Sequence, residues 1–475
     1  MRATSPAFKD NAAQALADTR LQKALVFTRP TFPSRRAAAV AALPEFESLR
    51  DIGRDIKDHT LANLDFYLES WAGKVERAGG KVHWCSTADE ARAAVLAICQ
   101  RVGARTVTKG KSMISEELAI NEHLEQHGIT PVETDLGEYI LQLRREPPSH
   151  IIAPAFHLNR EDWEESFRAS HTELPADRVF ADRRDILAEA RARLRARFLA
   201  ADVGITGANF LIAETGSSVI VTNEGNGDLT QTLPRVHIVL ASIEKMVPTL
   251  EDACTLLRLL ARSATGQEMT VYTTFSTGTR RPDELDGPDE YHVVLIDNGR
   301  SAMLGSTFQP MLRCIRCAAC LNHCPVYFTV GGHAYGWVYP GPMGSVLTPL
   351  LIGLDKAGHL PNASTFCGKC ESVCPVKIPL PGLMRQWRER QFERHLTSRS
   401  ARAGLGVWGW LAQRPKDYRR VTQAIAWGLG RLGRKCGRFS SLPLAGNWTS
   451  GRDLPAPEGE TFFTRYAREQ RAGRI

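Results

Sequence analysis

The stretch that most constrains this chain runs from Cys314 to Tyr327, CIRCAACLNHCPVY, with four cysteines at gaps of two, two and three residues and Pro325 directly after the last. So short a loop has no apolar core of its own, so it must fold around something the thiols hold. A second, imperfect copy follows about fifty residues downstream in CGKCESVCP, with Cys367, Cys370, Cys374 and then Pro375. Seven of the eleven cysteines lie in these two motifs, and Cys85, Cys99, Cys254 and Cys436 are scattered. Eleven unevenly placed cysteines in 475 residues do not make a disulfide-framed secreted protein, and thiols clustered in a reducing compartment point to metal or redox chemistry.

The spacing C-x2-C-x2-C-x3-C-P is that of bacterial ferredoxins, in which three close thiolates wrap one cubane and the fourth reaches a second cluster. The pattern therefore assigns Cys314, Cys317, Cys320 and Cys374 to a first 4Fe-4S cluster. It assigns Cys324, Cys367 and Cys370 to a second. Structural zinc also takes sets of four cysteines, but zinc ribbons use separated CxxC pairs and not three cysteines at successive gaps of two before Cys-Pro. The second set is one thiol short. Aligning the motifs places Ser364 where its first cysteine should stand. An oxygen or imidazole ligand, an iron with an open site, or a cluster lacking that iron would each satisfy the pattern. His333, in GGHAYGWVYPGPMGS, is the nitrogen candidate, although a Gly-, Pro- and aromatic-rich loop more often simply packs around such clusters.

The rest of the chain is ordinary in composition, with 43% apolar and 24% charged residues, enough for a real core and for two to four folding units. Residues 1 to about 70 carry helical spacing, as in FESLRDIGRDIKDHTLANLDFYLESW. From there to about residue 300, KVHWC, RTVTKG, HIIAPAF, VIVTN, RVHIVLAS, MTVYTTF and YHVVLID are expected strands. EARAAVLAICQRV, SEELAINEHLEQHG, DILAEARARLRARFLA and LEDACTLLRLLARSA are the expected helices between them. Such alternation predicts an α/β layered domain with a mostly parallel sheet. Past Gly305 the strand signal fades. LMRQWRERQFERHL and two Trp-bearing tail segments are again helical.

These blocks together resemble the lactate utilization protein B family. The cysteine motifs, GGHAYG, GPMGSVLTP and CGKCESVCPVKIPL carry the likeness. Upstream it extends through KGKSMISEELAINEHLE, ETDLGEYILQL, GITGANFLIAETGSSVIVTNEGNGD and DGPDEYHVVLIDNGRS, which resemble the LUD domain. The resemblance implies an N-terminal helical segment (1–70) and an α/β LUD domain akin to ribose-phosphate isomerase and CoA-transferase folds (71–304). A mainly α, ferredoxin-type two-cluster domain (305–395) and a basic helical tail (396–475) follow. It implies an electron-transfer subunit of an L-lactate-oxidising system, working with a CCG-type cysteine-rich subunit, a small LUD subunit and a downstream electron carrier. It also implies the same seven cysteine ligands in the same division. The family pattern itself has serine at the position of Ser364. The alternatives are that the LUD domain itself binds or oxidises the substrate, or that the chain serves another 2-hydroxy acid such as glycolate.

The LUD blocks offer candidates but no assigned catalytic residue. Lys109, Gly110, Lys111 and Ser112 stand between an expected strand and helix, a turn that suits an anion or, more simply, a basic surface turn capped by Ser112 or Ser115. Asn209, Glu214, Asn223, Glu224 and Asn226 lie near glycine turns at strand ends, where open α/β sheets bind ligands. Glu214 or Glu224 as a base competes with the commoner satisfied loop carboxylate. His157, His237 and His292, in or beside apolar strands, read as hydrogen-bonded core. No GxGxxG with an acidic partner and no Walker motif is present, and nothing argues for a flavin.

The formal charge of +8 is concentrated in the tail, where from Leu396 onward fifteen Lys and Arg face five Asp and Glu. Trp408, Trp410 and Trp427 among those arginines suit a partner subunit or an anionic membrane surface. Nucleic acid is not indicated, for no reading motif accompanies the charge. With no apolar leader at Met1 and no run of ~18 apolar residues, the expectation is a cytoplasmic protein without a transmembrane segment, its tail allowing a peripheral seat at the inner membrane face.

Overall fold

The computed structural model describes residues 3–110, 112–442, 449 and 451–474. It divides into two compact units, Met1–Arg390 and Gln391–Ile475.

The first unit is built on two sheets. Strands β1 (Lys81–Cys85), β2 (Thr106–Lys109), β3 (Thr130–Glu133), β4 (Val203–Gly207), β5 (Phe210–Ile212), β6 (Ser217–Thr222), β7 (Val236–Ser242), β8 (Met246–Val247), β9 (Tyr272–Ser276) and β10 (Glu290–Ile296) follow in chain order. Six of them form a sheet in the order β1-β10-β7-β4-β2-β3. Every pairing in it is parallel, for example Val203 beside Val236 and Val107 beside Val203. β7 is buried along its whole length, which explains why VHIVLAS is apolar on both faces rather than alternating, its two polar residues His237 and Ser242 being buried as well. β8, β5, β6 and β9 make a smaller mixed sheet beside it.

Helices Ala88–Arg101, Arg183–Leu199 and Leu250–Ala264 lie where the periodicity expects them. Two expectations fail. HIIAPAF is no strand: it runs through bends and turns, because Pro154 cannot donate to a ladder and its carbonyl is taken by both the N–H and the hydroxyl of Ser149. Its apolar residues Ile151 and Phe156 are buried in the same core as the cysteine loops. SEELAINEHLEQHG is two short helices, Met113–Glu117 and Ile120–Gln126, broken where Ala119 adopts φ +53°.

Helices Thr31–Ala41, Phe46–Ala62 and Leu64–Arg77 precede the sheet. The second of these packs against Leu250–Ala264, with Leu49, Leu256, Leu259 and Leu260 in one core. From Ser301 to about residue 395 the chain carries short helical turns, a buried helix Gly341–Ile352 and the longer Leu380–Glu393. The second unit has helices Arg399–Ala412, Pro415–Gly433 and Phe462–Arg471. Trp408, Trp410 and Trp427 are all more than half exposed there, and Arg414 and Arg431 lie over the rings of Trp410 and Trp427. No helix among the described residues is long and apolar enough to cross a membrane.

Candidate iron–sulfur site and an adjoining cavity

The two cysteine motifs repeat in backbone as well as in sequence. Around Cys317, Arg316 and Ala318 have φ of +60° and +59°; around Cys367, Phe366 and Gly368 have φ of +54° and +77°. A short helix then follows in each, Ala319–Asn322 and Lys369–Ser372, capped by Ala318 and Gly368 respectively. Left-handed residues flanking a cysteine turn the chain so that successive amides face one point, a concavity suited to anionic sulfur. Only the second motif uses glycine for this, so the first holds Arg316 and Ala318 at a cost of about 1 kcal/mol each.

Four of the thiols share one cavity, and they come from both motifs. Cys314, Cys317, Cys320 and Cys374 line one small cavity with Ile151, Met343 and Ile378. Cys374 thus stands with the first motif's sulfurs although it belongs to the second motif. Electrostatic influence follows the same division: Cys317 feels Cys374 and Cys314, Cys320 feels Cys314, Cys317 and Cys374 before Cys370, and Cys324 feels Cys367. Cys370 in turn feels Cys324 and Cys367.

Burial pushes the Cys317 and Cys320 thiols far up, Cys370 to about 12, and Cys374 to about 11, the last opposed by the N–H groups of Ile378 and Val376. The Ile378 amide lies 3.3 Å from Cys374 Sγ, and the Tyr327 amide 3.5 Å from Cys324 Sγ. Thiols so buried do not ionise alone, but a metal centre would make thiolates of them, and amides are already aimed at two of the sulfurs. None of the eleven cysteines is in a disulfide. The donor set fits a thiolate-held iron–sulfur group.

The second group is more open. Cys367 is exposed, and its thiol is lowered first by the Lys369 N–H. The Ser364 hydroxyl accepts from the Phe366 amide at 3.1 Å, a local turn. His333 donates to the Pro147 carbonyl at 2.8 Å and packs its ring on His157. The second motif is gripped from the N-terminal helices, by Arg50 on the Cys374 carbonyl at 2.8 and 3.0 Å and by Arg36 on the Val373 carbonyl at 3.1 Å.

A buried charge network joins the sheet to the first cysteine loop. Arg300 holds both oxygens of Glu117 at 3.0 and 2.7 Å and reaches Glu244 at 3.0 Å. Arg316 reaches the other Glu244 oxygen at 3.1 Å and lies over the ring of Tyr339, whose hydroxyl donates to Glu117. Arg300 holds Glu117 below its usual range against the opposing effect of burial, and Glu244 falls to about 2 with Arg300 and Arg316 beside it. Lys57 donates to the carbonyls of Glu244 and Met246.

Beside this network opens a cavity of about 190 Å³, with Ser112, Asn209, Asn226, Lys245, Arg316 and Tyr339 in its wall. It sits past the carboxyl ends of β2 and β4, the side on which open α/β sheets take ligands. Gly204 has no room for a side chain, the Thr230 carbonyl standing 1.8 Å from where a Cβ would be. Helix Asn226–Thr232 therefore lies flush on β4, with Asn226 at its start beside the cavity.

The other expected candidates have partners. Lys109 is buried on Ser115, Glu116 and Glu133, so its ammonium is not free for an anion, and the helix after it has only five residues. Lys111 lies outside the described residues. Glu214 is an exposed carboxylate capping Leu250, and the Glu224 carboxylate accepts from Asn223. Asn223 pairs with Gln267. His237 bonds Thr206 and is pulled to about 3 by burial; His292 bonds His83 and Glu290; His157 bonds Ser149 and Glu146. Sequence reasoning passed over Lys245 and Arg316. The signal was there: IEK directly follows a strand that is buried along its whole length, and Arg316 sits inside the CIRC turn.

The order of parts, a layered sheet domain and then a doubled cysteine turn, defines a LUD domain followed by a 4Fe-4S dicluster domain: those two family models match residues 68–296 and 310–378. Lactate utilization protein B of Bacillus pumilus is 42% identical over 473 residues, covering 99% of each chain. That of Bacillus subtilis is 40% identical over 483 residues, covering 97% of this chain and 96% of its own. The chain belongs to the lactate utilization protein B family. A crystal structure of a DUF162 family protein from Deinococcus radiodurans is a distant likeness, with a TM-score of 0.26 and 14% identity, covering 49% of this chain and 98% of that one.

Proposed function

We propose that the chain is the iron–sulfur electron-transfer subunit of a system that oxidises L-lactate to pyruvate. Two 4Fe-4S clusters are assigned, one to Cys314, Cys317, Cys320 and Cys374 and one to Cys324, Cys367 and Cys370, the latter with three cysteine ligands. The observation that carries the reading is the crossing of Cys374 into the sulfur group of the other motif, as two-cluster ferredoxins require.

Such clusters supply single-electron transfer at potentials tuned by ligands, burial and hydrogen bonds to sulfur. The chain's own residues do the rest. Ile151, Met343 and Ile378 give the first sulfur set an apolar wall. The Ile378 and Tyr327 amides stabilise thiolate charge. Arg36, Lys57, Lys245 and Arg316 lie where they feel the first set's sulfurs and offset its negative charge. The partners assigned are a CCG-type cysteine-rich subunit, a small LUD subunit and an electron carrier, with the exposed tryptophans and arginines of the second unit as the docking candidate.

A strain carrying Cys314→Ser and Cys317→Ser should lose lactate-dependent electron flow while its partner subunits still assemble. Undiminished growth on lactate would refute the reading.

A further inference from the structure

The cavity beside the charge network is lined by polar groups that the pairings described above leave with unused hydrogen-bonding capacity. Lys245 is only 6% exposed, yet its ammonium has no hydrogen-bond partner among the described residues. Asn226 is 4% exposed, and its Oδ1 is likewise without a partner. Its orientation is fixed: the Thr134 hydroxyl donates to the Lys109 carbonyl, so it accepts from Asn226 Nδ2 at 3.3 Å and leaves Oδ1 as a bare acceptor in the cavity wall. The Asn209 carboxamide oxygen takes the Val221 amide, leaving its Nδ2 as a further donor in the same wall.

Charge favours an anion. Lys57, Lys245, Arg300 and Arg316 are buried here with Glu117 and Glu244, and burial draws Lys57 down to about 8 and Lys245 to about 7, so a negative group beside them favours their charged form. Of the carboxylates that also line the cavity, Asp135 is turned to the Gly137 and Glu138 amides and Glu224 sits at the exposed rim. A cation paired with a hydroxyl acceptor selects a small acid bearing an OH beside its carboxylate. At about 190 Å³, some six times a water molecule's share of about 30 Å³, the space suits such an acid.

We propose that this cavity binds a small 2-hydroxy carboxylate, its carboxylate on Lys245 and Arg316 and its hydroxyl donating to Asn226 Oδ1. Arg316 stands between Cys314 and Cys317, so the bound acid lies against the first cysteine loop. The inference rests on the electron-transfer reading only for its choice of L-lactate as probe.

The test is isothermal titration of the anaerobically purified full chain with its iron in place, using L-lactate, pyruvate and propionate. L-lactate should bind, and propionate, which leaves the Asn226 oxygen bare, should bind at least tenfold more weakly. Pyruvate, which has no hydroxyl to donate, should fall with propionate. Lys245→Met should weaken L-lactate at least tenfold with iron content retained; methionine fills the space of the lysine stem without burying an ammonium, so the variant should fold. Asn226→Ala, a second variant, should narrow the gap between L-lactate and propionate. Absence of L-lactate binding to the native protein overturns the proposal. So does equal binding by Lys245→Met, and so does a Lys245→Met effect confined to the first cluster's potential, which would make the lysine a counter-ion to the cluster alone. Binding is read without electron flow, so the two readings fail separately. A protein that L-lactate and the partners reduce but that binds no L-lactate sinks the cavity, whereas one that binds but is never reduced sinks the wire.

Discussion

The two sulfur groups grow from copies of one turn and end in opposite surroundings. The first has four thiols in a cavity walled by Ile151, Met343 and Ile378, with Arg316 reaching from its loop into the buried network. The second has three thiols, one of them exposed, with Ser364 holding only its own turn. A shared backbone thus fixes where the sulfurs stand, whereas the packing around them decides how accessible each group is.

Replacing Cys374 should break the comparison most severely. If sulfur sets cross between motifs, Cys374→Ala abolishes the first cluster and roughly half the bound iron, with the signal of the second set surviving in EPR of the reduced protein. Loss of the second set's signal instead would reverse the assignment. Next comes the support beneath the first set: Arg300→Met leaves Glu117 and Glu244 buried without their shared cation and should cost about 3–5 kcal/mol in chemical denaturation. No equivalent network backs the second set among the described residues, so Lys369→Met should change stability by about 0.5 kcal/mol or less.

Ser364→Cys should sharpen the contrast from the other side. A fourth thiolate on the open group should slow its loss of iron in air several-fold, followed by bleaching of the visible band; an unchanged rate would mean Ser364 is not placed to become a ligand. The smallest effects are a mirrored pair in the turns. Ala318→Gly relieves a left-handed alanine and should stabilise by roughly 0.5–1 kcal/mol, whereas Gly368→Ala, where a Cβ meets no neighbour, should cost about the same. Thermal unfolding of the two variants side by side checks the sign of each.

Much of this was legible in the chain. Spacing alone located the dicluster domain, because gaps of two and a terminal Cys-Pro have few ways to fold, and the division of the seven cysteines remains the proposal it was. Periodicity located the buried strand VHIVLAS and the helix LEDACTLLRLLARSA, whose burial depends on their own residues. It failed where distant contacts decide. HIIAPAF has a strand's composition, but Pro154 and Ser149 close it into a loop packed on the cysteine domain. Strands TPVE and VGITG are too short, and too interrupted by Pro131 or by Gly204 and Gly207, to be seen without their neighbours. Lys109 looked like the free cation because its carboxylates, Glu116 and Glu133, lie on other elements. Lys245 is not marked out in the chain, because only its folded surroundings show that no described residue bonds to its ammonium.

The ionic bridge from Glu117 and Glu244 through Arg300 to Arg316 and Tyr339 bears on ancestry as much as on stability. A recombination event that joined this sheet half to a foreign cysteine half near residue 305 would strand charges with no water to receive them. The two halves should therefore travel through evolution as a single heritable block, and a chimaera cut there should recover its fold only when the donor brings an arginine and a tyrosine to positions 316 and 339.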